Sequence, residues 1–263
     1  MSEPHRPPAD ATARFANRVD AYVRARPGYP PGVIELLRER AGLGARSTVA
    51  DLGAGTGIFT RLLLETGATV HAIEPNGPMR DALVAALGTY PRLHAHDAPA
   101  ETTGLPETSI DLITAAQAFH WFDRDKAGRE FRRILRPGGT VALIWNTRLE
   151  DTTPFLAAYE QLLRRWSPDY RAVNHRNVGL DTIAPFFAPG RVECHTFDYR
   201  QVFDFEGLRG RLLSSSYAPA EGHANHEPML AELRAIFARH QESGTVRFDY
   251  RTEVYLGRFG DRR

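Results

Sequence analysis

Thr48-Val-Ala-Asp51-Leu-Gly53-Ala-Gly55-Thr-Gly57 is a short apolar run that delivers the chain into three closely spaced glycines. Phe59 to Leu64 follows with helical spacing, so the stretch reads as strand, tight turn, helix. Glycines directly after a strand let the backbone approach a ligand closely, and the helix start beyond them offers free amides. A nicotinamide-binding fingerprint would run G-x-G-x-x-G. Here the third glycine comes one residue early, at Gly57, and the position it should occupy is Ile58. Asp51 stands two residues before Gly53. A carboxylate beside such a loop suits a ligand carrying an ammonium group and repels a pyrophosphate, which favours an aminoacyl-nucleoside over a dinucleotide.

Outward from this turn, short apolar strands alternate with helical patterns from Thr48 to Thr147, the signature of a parallel α/β sheet. Strands are expected at Thr48–Leu52, Thr69–Ile73, Arg92–Ala95, Ile110–Ala115 and Thr140–Trp145. Asn76 and Pro78 read as the cap and first turn of a helix carrying Met79, Leu83 and Leu87. Asp123 reads as the cap of another, with Phe131, Ile134 and Leu135 on one face and a stop at Pro137-Gly138-Gly139. After Thr147 the rhythm changes. Phe155–Trp166, Phe205–Ser215 and Met229–His240 read as helices, Ser167–Leu180 as irregular, and Arg191–Phe203 and Val246–Tyr255 as half-buried strands. The expected architecture is a single α/β domain over residues 1–263. Its core is a seven-stranded, mostly parallel, doubly wound sheet with an antiparallel last strand. The expected divisions are an N-terminal cap at 1–30, a cofactor-binding core at 31–147, a lid insertion at 148–190 and completing elements at 191–263. Lid material is expected from Thr147–Pro189 and Phe205–Pro228.

Three acids fall at successive strand ends, on the edge where open α/β sheets bind ligands. Asp51 precedes the glycines. Glu74, after the second strand, can accept hydrogen bonds from both hydroxyls of a ribose. Asp97, after the third, can accept from an adenine amino group while the Ala98 amide faces a ring nitrogen. His120 follows the fourth strand among Phe119, Trp121 and Phe122. It suits a general base at neutral pH, and it also suits a histidine that packs, caps the helix near Asp123 or only touches substrate. The three aromatic residues read mainly as core, with one of them lining the pocket.

With these residues in place, the chain resembles the class I, Rossmann-like S-adenosylmethionine-dependent methyltransferases. Asp51-Leu-Gly-Ala-Gly-Thr-Gly57 is similar to their first motif, Ile73-Glu-Pro75 to their ribose motif and His96-Asp-Ala-Pro-Ala-Glu101 to their adenine motif. Ala118-Phe-His-Trp-Phe-Asp123 and Leu135-Arg-Pro-Gly-Gly-Thr-Val-Ala-Leu-Ile-Trp145 match the end of their fourth strand and the turn before the fifth. Tyr22-Val-Arg-Ala-Arg26-Pro-Gly-Tyr29-Pro is similar to a small-molecule branch that includes trans-aconitate methyltransferase-like proteins. The resemblance implies S-adenosylmethionine as cofactor, with S-adenosylhomocysteine as product. It implies Gly53, Ala54, Gly55, Gly57, Glu74, Pro75, Asp97, Ala98 and Gln117 as its contacts, beside Asp51, and Tyr22 and Arg26 folded over its methionyl end. The N/D-P-P-Y motif of amino-directed nucleic-acid methyltransferases is absent, since the corresponding segment is Gln117-Ala-Phe119-His120.

Composition limits the partners. The formal net charge is +1, so no overall field favours nucleic acid or an anionic membrane. All but one of the Lys and Arg residues are arginine, the exception being Lys126. Arg164, Arg165, Arg171 and Arg176 read as a solvated lid face, an anion clamp being the sharper alternative. Cys194 is the sole cysteine and reads as a buried strand residue, with no intramolecular disulfide or thiolate cluster possible. His223 and His226, near Glu221 and Glu227, superficially suggest a metal site, but methyl transfer needs none, and no metal is expected. No apolar run approaches a membrane span, and Met1–Asp10 is polar and proline-rich, unlike a signal peptide. The expected reading is a cytoplasmic enzyme acting on a small-molecule acceptor, with no nucleic-acid or membrane partner. A macromolecule methyltransferase and a catalytically silent cofactor-binding protein are the rivals.

Overall fold

The computed structural model describes residues 27–167, 170, 179–215 and 217–260. Seven strands form one sheet in the order β3-β2-β1-β4-β5-β7-β6. They are β1 (Thr48–Leu52), β2 (Thr69–Ile73), β3 (Leu93–His96), β4 (Ile110–Ala116), β5 (Leu135–Arg148), β6 (Arg191–Phe203) and β7 (Val246–Arg258). The first five run parallel, whereas β7 is antiparallel to both β5 and β6. Chain order reverses between β1 and β4, and a sheet that winds outward in both directions leaves a crevice there, at the strands' carboxyl ends.

Period-two burial assigns each strand residue to a face. Ala50, Leu52, Ile113, Ala115, Val141, Leu143 and Trp145 pack on one side. There they meet Phe131 and Ile134 of helix α4 (Arg124–Ile134) and Ile183 and Phe187 of α6 (Leu180–Phe187). Val49, Leu112, Ala142 and Ile144 pack on the other. They meet Val33 and Leu37 of α1 (Pro31–Ala41), Phe59 and Leu63 of α2 (Ile58–Leu64), and Leu83 and Leu87 of α3 (Gly77–Leu87). The expected caps are present. The Asn76 side chain accepts from the Met79 amide at 3.1 Å and that of Asp123 from the Lys126 amide at 3.1 Å, each satisfying an otherwise orphaned donor.

A third cluster sits beyond the carboxyl edge. Helices α5 (Pro154–Trp166), α7 (Phe205–Leu213) and α8 (His226–His240) bury Leu156, Tyr159, Leu163, Leu208, Leu212, Met229 and Leu233 against Phe248 and Tyr250 of β7. Among the described residues no helix is long and apolar enough to cross a membrane.

Three features differ from the sequence reading. Helix α4 ends at Ile134 rather than at the Pro137 turn, and β5 begins at once. Leu135 pairs with Ile110, and the ladder then skips to Leu112 opposite Thr140, so Pro137-Gly138-Gly139 is an irregularity inside a strand pair. A residue without an N–H is tolerated where the ladder is already interrupted. At its other end β5 continues past Trp145 through Asn146, Thr147 and Arg148, which pair with Thr252, Arg251 and Tyr250 of β7. Helices α1 and α6 carry no expectation from the sequence. Ile183 and Phe187 of α6 stand about one turn apart on the same side of the helix, and both are buried.

Candidate active site

Strand β1 ends at Leu52 and the backbone turns sharply into α2. Gly53, Gly55 and Gly57 all have positive φ, at 67°, 57° and 84°. Two of them are also closely packed. A Cβ on Gly53 would stand 2.5 Å from the Ala118 Cβ at the end of β4, and one on Gly57 would stand 2.7 Å from Leu87 Cδ1 of α3. Gly55 differs, because its nearest neighbour would be Met79 Sδ at 3.9 Å, so its exposed side forms a cradle rather than a packing contact. The turn is tied to β2 by Gly53 and Ala54, whose amides both donate to Ile73 O, at 2.9 and 3.1 Å.

Glu74 organises the crevice. Its Oε2 accepts from the Gly55 amide at 2.8 Å and its Oε1 from the Asn76 amide at 2.8 Å. One carboxylate thus joins the glycine turn to the start of α3. Burial pushes this carboxyl above the usual range, and the two amides and Arg80 work against that push. Each oxygen keeps a second acceptor direction, as two vicinal hydroxyls require. Pro75 is exposed beside it. Asp97 lies just past β3, 69% exposed, and ion-pairs with Arg80 of α3 at 3.0 Å; the other guanidinium contact of Arg80 is Glu74 O at 2.7 Å. Ala98 is half-buried against the core.

Asp51 requires a correction. Its side chain is only 1% exposed, and its oxygens accept from Thr60 at 2.6 Å and Thr114 at 2.7 Å. The carboxylate is turned inward, bracing β1 against α2 and β4, and it does not offer itself to a ligand's ammonium group. Desolvation pushes its carboxyl up to about 6, against the two threonine hydroxyls and with Glu74 adding to the rise. A raised folded-state value means that the protonated form favours folding. That contribution is complete below the ordinary 3.8 and is lost as pH rises through about 6. Chemical denaturation of wild type and Asp51→Asn should therefore give stabilities that diverge by about 3 kcal/mol across this window, the variant gaining on wild type. A constant difference would show that the carboxyl titrates normally.

At the end of β4, Gln117 adopts φ 60°, a left-handed conformation uncommon for a residue with a side chain. The strain is held by its amide, which donates to Ile144 O at 2.8 Å, while Nε2 reaches Asn146 O at 3.3 Å. Asn146 in turn donates to Gly28 O at 2.9 Å and accepts from Thr252 at 2.6 Å, docking the N-terminal segment at this edge. Tyr29 packs edge-on to Phe59 at 4.9 Å. Tyr22 and Arg26 lie outside the described residues, as do Arg171 and Arg176.

Phe119, His120 and Trp121 form a 3₁₀ turn after Gln117. Phe119 is core, packed edge-on to Phe186 at 4.8 Å. Phe122 is the aromatic residue that approaches the glycine turn, its Cζ 3.6 Å from where a Gly53 Cβ would stand. His120 is half-buried, its ring 4.8 Å from that of Trp121. Arg164 pairs with Glu160 at 2.8 Å and Arg165 with Glu232 at 3.1 Å, both arginines being largely exposed. His226 contacts Pro219 O at 2.9 Å, and His223 accepts from the Asn225 amide. Cys194 is half-buried in β6. The sequence reading missed Asn146, whose position at the end of a long strand depends on β7, and Thr60 and Thr114, whose only signal is a polar residue at a core position.

Comparison with known proteins agrees with this geometry. Residues 50–143 match the family model described as a methyltransferase domain. An uncharacterized methyltransferase of Schizosaccharomyces pombe is 33% identical over 246 residues, covering 92% of this chain and 95% of its own. The chain belongs to the class I S-adenosylmethionine-dependent methyltransferases. An uncharacterized methyltransferase of Mycobacterium bovis is 45% identical to this chain over 141 residues, 54% of this chain and 55% of that one. The match thus spans about half the length of the mycobacterial relative. A solved structure described as a type II methyltransferase from Anaeromyxobacter dehalogenans superposes with a TM-score of 0.68 at 27% identity, covering 89% of this chain and 97% of that one. The family's methyl donor is S-adenosylmethionine.

Proposed function

We propose that the chain transfers the methyl group of S-adenosylmethionine to an oxygen, nitrogen or carbon atom of a small-molecule acceptor, leaving S-adenosylhomocysteine. The observation that carries this reading is Glu74, clasped by the Gly55 and Asn76 amides at the carboxyl ends of β1 and β2. In the proposed complex Glu74 accepts the ribose hydroxyls, the open side of Gly55 admits the methionyl portion, and Asp97 takes the adenine amino group in exchange for Arg80. The cofactor supplies a methyl group already activated on a sulfonium. The protein's part is therefore orientation, which contributes up to ~7–11 kcal/mol in favourable cases, and exclusion of water. Helices α5, α7 and α8 stand over the carboxyl edge and would serve as the lid. His120, at the end of β4, would take the proton of an acceptor hydroxyl or amine.

Calorimetry tests the cofactor assignment. S-adenosylhomocysteine should bind, with no comparable binding of NAD or NADP; tighter binding of a dinucleotide would overturn it. A mass-spectrometric screen of metabolites for the gain of one methyl identifies the acceptor. With an acceptor in hand, His120→Asn should lower turnover with little change in cofactor affinity. Full turnover in that variant would leave His120 a packing residue.

A further inference from the structure

The cap beyond the sheet edge contains a group of buried cations that the cofactor site does not use. Arg148 is the last residue of β5 and is directly paired with Tyr250 of β7. Ala116, the end of β4, pairs with Ile144. Arg148 therefore stands four residues further on, roughly 13 Å past the point where the transfer site begins at ~3.3 Å per residue. Its side chain is 10% exposed. Nη2 donates to Glu160 at 2.6 Å and to Tyr170 at 3.0 Å. Nη1 is buried with no hydrogen-bond partner among the described residues, and so is the hydroxyl of Tyr159, which is 1% exposed. The Arg148 guanidinium lies 5.2 Å from the centre of the Tyr159 ring.

Arg211 of α7 completes the group. It is 7% exposed, and its Nε and Nη1 donate to Tyr250 Oη at 3.2 Å and to Ser215 Oγ at 3.0 Å. No carboxylate lies within ion-pair distance of it among the described residues. Arg133, in the same molecule, shows what a structurally satisfied arginine looks like, because Glu130 meets its guanidinium at two atoms. Among the described residues the local balance is three guanidiniums (Arg148, Arg164, Arg211) against two carboxylates, Glu150 and Glu160. Arg211 is the unmatched one, and Arg164 is largely exposed. Burying a guanidinium without a counter-charge is costly, and so is burying a donor without an acceptor. Both deficits meet at Tyr159, on which Arg148 and Arg211 both act electrostatically. One occupant with a negative charge and two or more acceptor oxygens would satisfy them together.

We propose that Arg148, Arg211 and Tyr159 hold an oxyanion, a carboxylate or phosphate group, of the methyl acceptor. The inference rests on the methyltransferase reading above and narrows its substrate to anionic small molecules. The cluster overhangs the carboxyl edge, so the anion is bound at one end of the acceptor while the reacting atom is held near Gln117 and His120.

The test titrates succinate and, separately, inorganic phosphate into the full chain saturated with S-adenosylhomocysteine, against sodium chloride at matched ionic strength. Binding of succinate alone assigns a carboxylate, and binding of phosphate alone assigns a phosphate. Arg211→Lys keeps the charge and loses the fork, and should weaken binding about ten- to a hundredfold. Tyr159→Phe removes only a hydroxyl that has no partner, so it should fold as wild type does and bind S-adenosylhomocysteine unchanged, yet lose about tenfold or more in anion affinity. It keeps the test decisive if Arg211→Lys fails to fold. Neither anion binding beyond chloride, or equal binding in wild type and Tyr159→Phe, would overturn the proposal. Failure of S-adenosylhomocysteine to bind would instead sink the methyltransferase reading, and the same anion titrations without it would still judge the arginine cluster.

Discussion

Glu74→Ala is expected to weaken S-adenosylhomocysteine binding by about a hundredfold or more. Hydrogen bonds to a charged group contribute ~1.5–3 kcal/mol, and ~1.4 kcal/mol is a factor of ten in affinity. Loss of the ribose contacts alone thus accounts for one to two orders of magnitude. The substitution also releases the Gly55 and Asn76 amides, which the carboxylate holds at 2.8 Å each, so the cradle loses its fixed shape. Stability should change less than affinity. Burial already disfavours the charge on Glu74, and removing it relieves part of the penalty that the freed amides impose. Glu74→Gln keeps the volume but only one acceptor oxygen, and should fall between wild type and alanine. Calorimetry and urea denaturation on the three proteins separate the two effects. Unchanged affinity in Glu74→Ala would show that this carboxylate only braces the turn.

Gly53→Ala should be the most destabilising single methyl addition in the crevice. The residue has φ 67°, which costs an alanine ~1 kcal/mol, and its Cβ would stand 2.5 Å from the Ala118 Cβ. Gly53 and Ala118 lie just past the ends of the paired strands β1 and β4 and are tied there by backbone hydrogen bonds, so neither can move cheaply, and overpacking of this kind adds ~1–3 kcal/mol. A total of about 2–4 kcal/mol should appear in urea denaturation. Ala118→Gly in the same chain removes the clash and should recover all but the backbone part. Gly55→Ala provides the contrast. Its Cβ meets nothing closer than 3.9 Å, so stability should fall by only ~1 kcal/mol. Ligand affinity should fall more steeply, because the methyl fills the cradle. Equal destabilisation at the two positions would refute this division of roles.

The α/β class, the alternation of strands with helices, the glycine turn and the place of Glu74 after the second strand were all legible in the sequence, because each is encoded over a few residues. A strand's apolar run, a cap three residues from its amide, or three glycines at a turn carry their own physical reason wherever they occur. Even the two half-buried strands after Arg191 could be read from alternation alone. What tertiary structure decided was everything that depends on a partner distant in the chain. Asn146 to Arg148 are polar and end an apolar run, yet they continue β5 because Tyr250 to Thr252 of β7 supply the ladder. Asp51 reads as a ligand group from its place beside the glycines, but Thr60 and Thr114 turn it inward. Arg211 is one of two arginines in α7, and nothing in the sequence tells it apart from Arg209, which is exposed. Only the packing of α5, α7 and β7 around Arg211 makes it a buried charge with no carboxylate beside it among the described residues, because desolvation is a property of the assembled core and of no single segment.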